Sequence, residues 1–187
     1  MVPNISRLLP AILLLCYASS GFAQTPTATG RQKIYGSLVG EWTGQLEYRD
    51  YQSDARVDLP TWLEVRETAD GSAIQFTYTY DDGPAKTLRE ASTAVVDADK
   101  REFQVTSDRD KSSERYVIED IEERPSGAIR LSLTGRGTEN DKPVDVRITI
   151  AIDRNLYRFT KQTRGVGQQF LFRDGYVLTR REPLGQK

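Results

Sequence analysis

The chain contains no histidine and one cysteine, Cys16. Without histidine it lacks the usual general base near neutral pH, the commonest metal ligand and the means to build a Ser-His-Asp triad. One cysteine leaves no disulfide within the chain. If Cys16 is removed by processing, thiol catalysis, thiolate zinc sites and iron–sulfur clusters are excluded with it. An enzyme built on this sequence would have to work with carboxylates, Tyr, Lys or Arg.

Long apolar runs are missing too. The one hydrophobic stretch, Leu8 to Tyr17, is interrupted by Pro10, and it falls short of the ~20 residues that a bilayer requires. With Arg7 before it and Gly21-Phe22-Ala23 after it, the pattern is that of a signal peptide over residues 1–23, cleaved after Ala23. A lipoprotein anchor at Cys16 is disfavoured, because Leu13-Leu14-Leu15 puts no small residue next to the cysteine. The expected destination is therefore the periplasm or the extracellular space, with no stable membrane anchor once the signal is gone. Residues 24–30 (QTPTATG) have nothing apolar to bury and read as a flexible leader. Residues 31–183 form one domain, and 184–187 a polar tail.

No sign of charge dominates. The 26 basic and 27 acidic residues are interleaved along the chain, so there is no electrostatic case for nucleic acid or an anionic membrane. The mature chain of about 160 residues is long enough for a single core that buries roughly two-thirds of its unfolded surface.

Residues 31–39 carry Ile34, Leu38 and Val39 at helical spacing, enough for about two turns that could plug a barrel end. From Glu41 onward the apolar period is two. Trp42, Gly44, Leu46 and Tyr48 share one parity, as do Ile74, Phe76, Tyr78 and Tyr80, and Val144, Val146, Ile148, Ile150 and Ile152. Asp70-Gly71, Asp81-Asp82-Gly83-Pro84, Pro125-Ser126-Gly127 and Asn140-Asp141 punctuate these runs. The result is about ten short strands joined by short turns, which forces antiparallel neighbours. Closure removes the two exposed edges that an open meander would leave. The expected fold is all-β: a single closed antiparallel up-and-down barrel of about ten strands with a short N-terminal helix. With an even strand number, the first and last strands meet, bringing Trp42 and Arg180 together at the plugged end as a cation–π pair. Arg181 would take that place if the register slipped by one.

Gly40-Glu41-Trp42, preceded by a short helix and paired with a late-strand arginine, resembles the Gly-x-Trp signature of the lipocalin superfamily. The fuller phrase Leu38-Val39-Gly40-Glu41-Trp42-Thr43-Gly44 is similar to bacterial lipocalin-like (calycin-type) families of unknown function and to nitrobindin-like haem barrels. The resemblance implies a barrel with a ligand-holding interior. Nitrobindin-type barrels hold haem iron through histidine, which is absent here, so no cofactor is expected.

Parity names the cavity candidates: Tyr48, Phe76, Tyr78, Tyr80, Tyr116, Phe172 and Tyr176, whose hydroxyls would fix the polar end of a ligand. Arg158, sharing parity with Leu156, is the inward arginine candidate for a carboxylate grip, whereas Arg173 should face solvent. Trp62 falls on the polar parity of its strand and is a candidate partner surface. Asp81-Asp82 is explained by its turn, and Gly165-Val166-Gly167, with no helix after it, is not a phosphate loop. Three readings remain: a barrel binding a small amphipathic or apolar molecule, a filled barrel acting through its surface, and carboxylate or tyrosine chemistry at the barrel mouth. A tyrosine or carboxylate with a strongly shifted pKa inside the barrel would favour the third. The sequence leaves the ligand and the oligomeric state open.

Overall fold

The computed structural model describes residues 30–50 and 52–181. The signal peptide, nearly all of the leader and the tail expected from the sequence lie outside the described residues. One helix, α1 (Gly30–Leu38), precedes ten strands: β1 (Gly40–Arg49), β2 (Arg56–Glu67), β3 (Ile74–Asp81), β4 (Thr87–Asp97), β5 (Glu102–Ser107), β6 (Ser113–Glu123), β7 (Ile129–Glu139), β8 (Lys142–Asp153), β9 (Leu156–Arg164) and β10 (Leu171–Arg180). Each strand pairs antiparallel with its sequence neighbours, and β1 pairs with β10, so the sheet closes into an up-and-down barrel. Tight turns enforce this order. At the β7–β8 turn Asn140 and Asp141 both take positive φ, 48° and 60°, as a two-residue hairpin whose twist matches its strands requires.

The alternating residues meet inside. Leu63, Val65, Ile74, Ala94, Val96, Ile118, Leu131, Leu133, Ile150, Ile152 and Leu178 form a dry core towards the end where β1 begins. Helix α1 closes that end by burying Ile34, Tyr35 and Leu38. The Tyr35 hydroxyl bonds two groups of the rim, donating to the Ser72 carbonyl (3.2 Å) and accepting the Val96 N–H (3.0 Å).

The helix ends on carbonyls that need donors, and the closing strands supply them. Trp42, 1% exposed, donates its indole N–H to the Leu38 carbonyl at 2.9 Å. Arg180 sits opposite Trp42 in the β1–β10 register, its guanidinium carbon 4.1 Å from the ring centroid. Its Nη1 and Nη2 donate to the carbonyls of Val39 (2.5 Å) and Ser37 (2.7 Å). A fixed cation at a helix C-terminus also complements the helix dipole. Gly40 makes this approach geometrically open: its φ is +136°, and a Cβ there would overlap Arg180 Nη1. Arg181 instead faces out, 3.7 Å from Glu41.

Two expectations of inward side chains fail, one at the open end and one near the plugged end. The first is Phe172, read as inward from its parity with Tyr176. The β9–β10 register shifts between Phe172 and Asp174, and this bulge reverses the faces before it. Phe172 therefore lies outside, over Gly175 and under the Arg56 guanidinium at 4.5 Å. The extra residue, Arg173, is the one read as solvent-facing. Its side chain is only 12% exposed and meets Glu139 at 3.3 Å. The second failure is Arg158. The two-residue turn Arg154-Asn155 pairs Asp153 with Leu156 and Ile152 with Tyr157, so Tyr157 shares the inner face of Ile152 and Arg158 is exposed on the outer wall.

Candidate functional site

The inner faces change character along the barrel axis. Above the apolar layer lies a cavity of ≈ 330 Å³. Its floor and walls are apolar, with Phe103, Val105, Leu133, Ile148 and Ile150 among them. Tyr157 stands deep, against Trp42 at 5.8 Å, and towards the mouth the lining becomes aromatic and then charged: Tyr78, Tyr116 and Tyr176, then Glu90, Glu114, Lys161 and Asp174. A wider space of ≈ 660 Å³ continues outward, sharing Tyr78, Glu90, Ser92 and Tyr176 with the inner cavity and adding Tyr80 and the Ser107–Asp110 turn. Both volumes fall in the range of small-molecule sites, about 300–1,000 Å³.

Strand pairing arranges the aromatics into one wall. Tyr78 and Tyr80, two apart on β3, stack at 6.0 Å, and Tyr176 of β10 approaches Tyr78 to 5.0 Å across the lumen. Phe159 meets Tyr176 edge-on at 5.6 Å. The Tyr80 and Tyr176 hydroxyls bond each other at 2.9 Å, and the Tyr78 and Tyr157 hydroxyls face one another deeper in. Tyr116 donates to Glu114 at 2.5 Å. Its ring lies against Gly135 of β7, where an added Cβ would come within 2.6 Å of Tyr116 Cδ1. Burial pushes the hydroxyls of Tyr78, Tyr80, Tyr116, Tyr157 and Tyr176 above the ordinary tyrosine range. They are neutral hydrogen-bonding groups near pH 7, not phenolate bases.

Asp174 is the exception among the carboxylates. Burial raises it to about 6, against the opposing pull of Lys161 and Arg173. Among the described residues no three His, Cys, Asp or Glu side chains converge as a metal-binding group.

Of the residues singled out by parity, Phe76, Tyr78, Tyr116 and Tyr176 line the inner cavity and Tyr80 lines the mouth. Tyr48 is half-buried near the open end, opposite Asp174 and Val57, and does not line the cavity. Arg158 and Phe172 are outside it. Sequence reasoning missed Tyr157, Phe159, Lys161 and Asp174. A signal for the first three was present, since a two-residue turn after Asp153 dictates which parity of β9 follows Ile152 inward. Asp174 shares the parity of Tyr176 in an unbroken register, so alternation already pointed it inward; the bulge before it relocates Phe172 and Arg173.

No family model matches the chain, and no curated protein matches it. Solved structures do. The chain superposes on Rv2717c from M. tuberculosis with a TM-score of 0.62 and 17% identity, covering 83% of this chain and 100% of that one. It superposes on the S-type phycobiliprotein lyase CPES from Guillardia theta with a TM-score of 0.52 and 8% identity, covering 81% of this chain and 93% of that one. At these identities the likeness concerns the fold. Together with the helix-plugged, closed antiparallel sheet of ten strands, it makes this chain a lipocalin-like barrel.

Proposed function

We propose that the protein is exported and holds a small amphipathic molecule inside its barrel. The observation that carries the binding reading is the graded cavity, apolar below Tyr116 and polar above it, opening into a wider mouth. An apolar tail placed among Phe103, Leu133 and Ile148 gains about 25 cal/mol for each Å² taken from water. The tyrosine hydroxyls and the charged belt then orient its polar end. The structural neighbour that is a phycobiliprotein lyase acts on phycobiliproteins; it shares this barrel, and its low identity lends no ligand to the present chain. The export reading rests on Arg7, the apolar run from Leu8 to Tyr17 and the small residues at 21 and 23.

Asp174 gives a second reading its footing. A carboxyl held near 6 in a cleft is suited to proton transfer, although no nucleophile–base pair accompanies it among the lining side chains.

One experiment addresses all three. Protein expressed in its own host is recovered from periplasm or medium, and its native mass is compared with its denatured mass. The expected result is a chain beginning at Gln24 with a reproducible extra mass of small-molecule size. An uncleaved chain retained in the cytoplasm would overturn export. A bare chain that also binds none of a panel of amphiphiles would overturn the binding reading, favouring a filled barrel acting through exposed groups such as Trp62, 41% exposed. A ligand recovered in chemically altered form would favour the enzymatic reading.

A further inference from the structure

The interior charge decides which amphiphile the barrel takes. Glu90 of β4, Glu114 of β6 and Asp174 of β10 line the cavity against one cation, Lys161 of β9. No arginine lines this inner cavity; Arg89 and Arg109 stand at the wider mouth beside Glu90, Asp108 and Asp110. Arg158 is on the outer wall, and Arg173 is engaged with Glu139. Lys161 is the register partner of Asp174 and already faces more carboxylates than it can neutralise.

Glu114 accepts from Tyr116, whereas Asp174 has no such donor. Among the described residues none donates a hydrogen bond to Asp174, which feels Lys161 and Arg173 only through space. Asp174 is half-buried; a carboxylate partly withdrawn from water without a donor carries a cost, and a cation placed beside it offsets that cost. The Tyr78–Tyr176 pair adds electron-rich faces at the same level, the surface that ammonium groups prefer.

We infer that the barrel selects an amphipathic cation, an amine or quaternary ammonium on an apolar chain, with its head between Glu114, Asp174 and the Tyr78–Tyr176 rings. This rests on the interior-binding reading above and names its ligand class. A carboxylate headgroup in the same place would add a negative charge to a belt that already has an excess.

The test compares four probes of equal chain length: decylamine, decyltrimethylammonium, decanol and decanoate, titrated calorimetrically into the mature protein. Both cations should bind about tenfold or more tighter than decanol, with decanoate weakest. Equal affinity for cation and alcohol, or preference for decanoate, would overturn the inference while leaving interior binding intact. Failure of all four to bind would remove both.

Two further readouts separate charge from shape. Glu114→Gln and Asp174→Asn should each weaken decyltrimethylammonium about fivefold or more and leave decanol unchanged. The titratable and charged groups facing Asp174 are Lys161 and Tyr157 on β9, Tyr48 on β1, Tyr78 and Tyr80 on β3, Glu90 on β4, Glu114 and Tyr116 on β6, Glu139 on β7, and Arg173 and Tyr176 on its own strand. Among them Asp174 is raised by burial to about 6. Affinity for the permanently charged probe should therefore fall as pH drops from about 7.5 to about 5, and the fall should be lost in Asp174→Asn. A pH-independent affinity in the parent protein would overturn the role of Asp174.

Discussion

The two ends of this barrel are made by the same strands and solve opposite problems. At the closed end, Trp42 and Arg180 serve the end of α1: each terminal carbonyl from Ser37 to Val39 has a named donor. At the open end, tyrosine hydroxyls bond mainly to one another and a carboxylate is held half-buried without a donor. The difference shows where the fold draws its stability and where it spends some of it. Satisfied polar groups over an apolar core rigidify, while an under-satisfied, desolvated belt is a place prepared for something else.

Substitution at the closed end should have the largest effect. Trp42→Ala removes a fully buried ring, its contact with Tyr157 at 5.8 Å and the Leu38 cap. A loss of about 3–5 kcal/mol in urea unfolding is expected; a loss under about 1 kcal/mol would break the assignment of stability to this end. Arg180→Lys comes next. It keeps the charge but loses the fork that serves Ser37 and Val39 together, and about 1–3 kcal/mol should go with it. The same unfolding assay decides, with the amphiphile affinities of the surviving folded protein unchanged.

The smallest effect has the opposite sign. Because Asp174 is raised to about 6 in the folded state from an ordinary 3.8, the folded protein holds a proton there that the unfolded chain would release. That contribution favours folding below about pH 4 and is lost as pH rises through about 6. Asp174→Asn should therefore be more stable than the parent at about pH 8, by about 1 kcal/mol once solvent at the mouth is allowed for. The two stability curves should converge towards pH 4. Equal stability at both pH values would show that the open end bears no such cost.

Much of this was legible beforehand because strand parity and turn chemistry are local. The runs from Ile74 to Tyr80 and from Val144 to Ile152 contain their own inside and outside, and the meeting of Trp42 with Arg180 follows from an even strand count and closure. The cavity was only partly legible. Phe76, Tyr78, Tyr116 and Tyr176 lie on strands that keep their parity to the middle of the barrel, whereas Phe172 and Arg173 are separated from Tyr176 by a bulge that reverses the face.

By itself, then, the sequence determined the number and order of the strands, the plug and the seam, since hydrophobic period and turn residues act over a few positions. The tertiary structure decided the charge of the interior. The bulge at Arg173 and the pairing of Arg173 with Glu139 are settled by neighbours distant in the chain. A one-residue shift in a strand moves a charge from solvent to lumen, and that shift separates a barrel with an arginine grip from one with an acidic mouth.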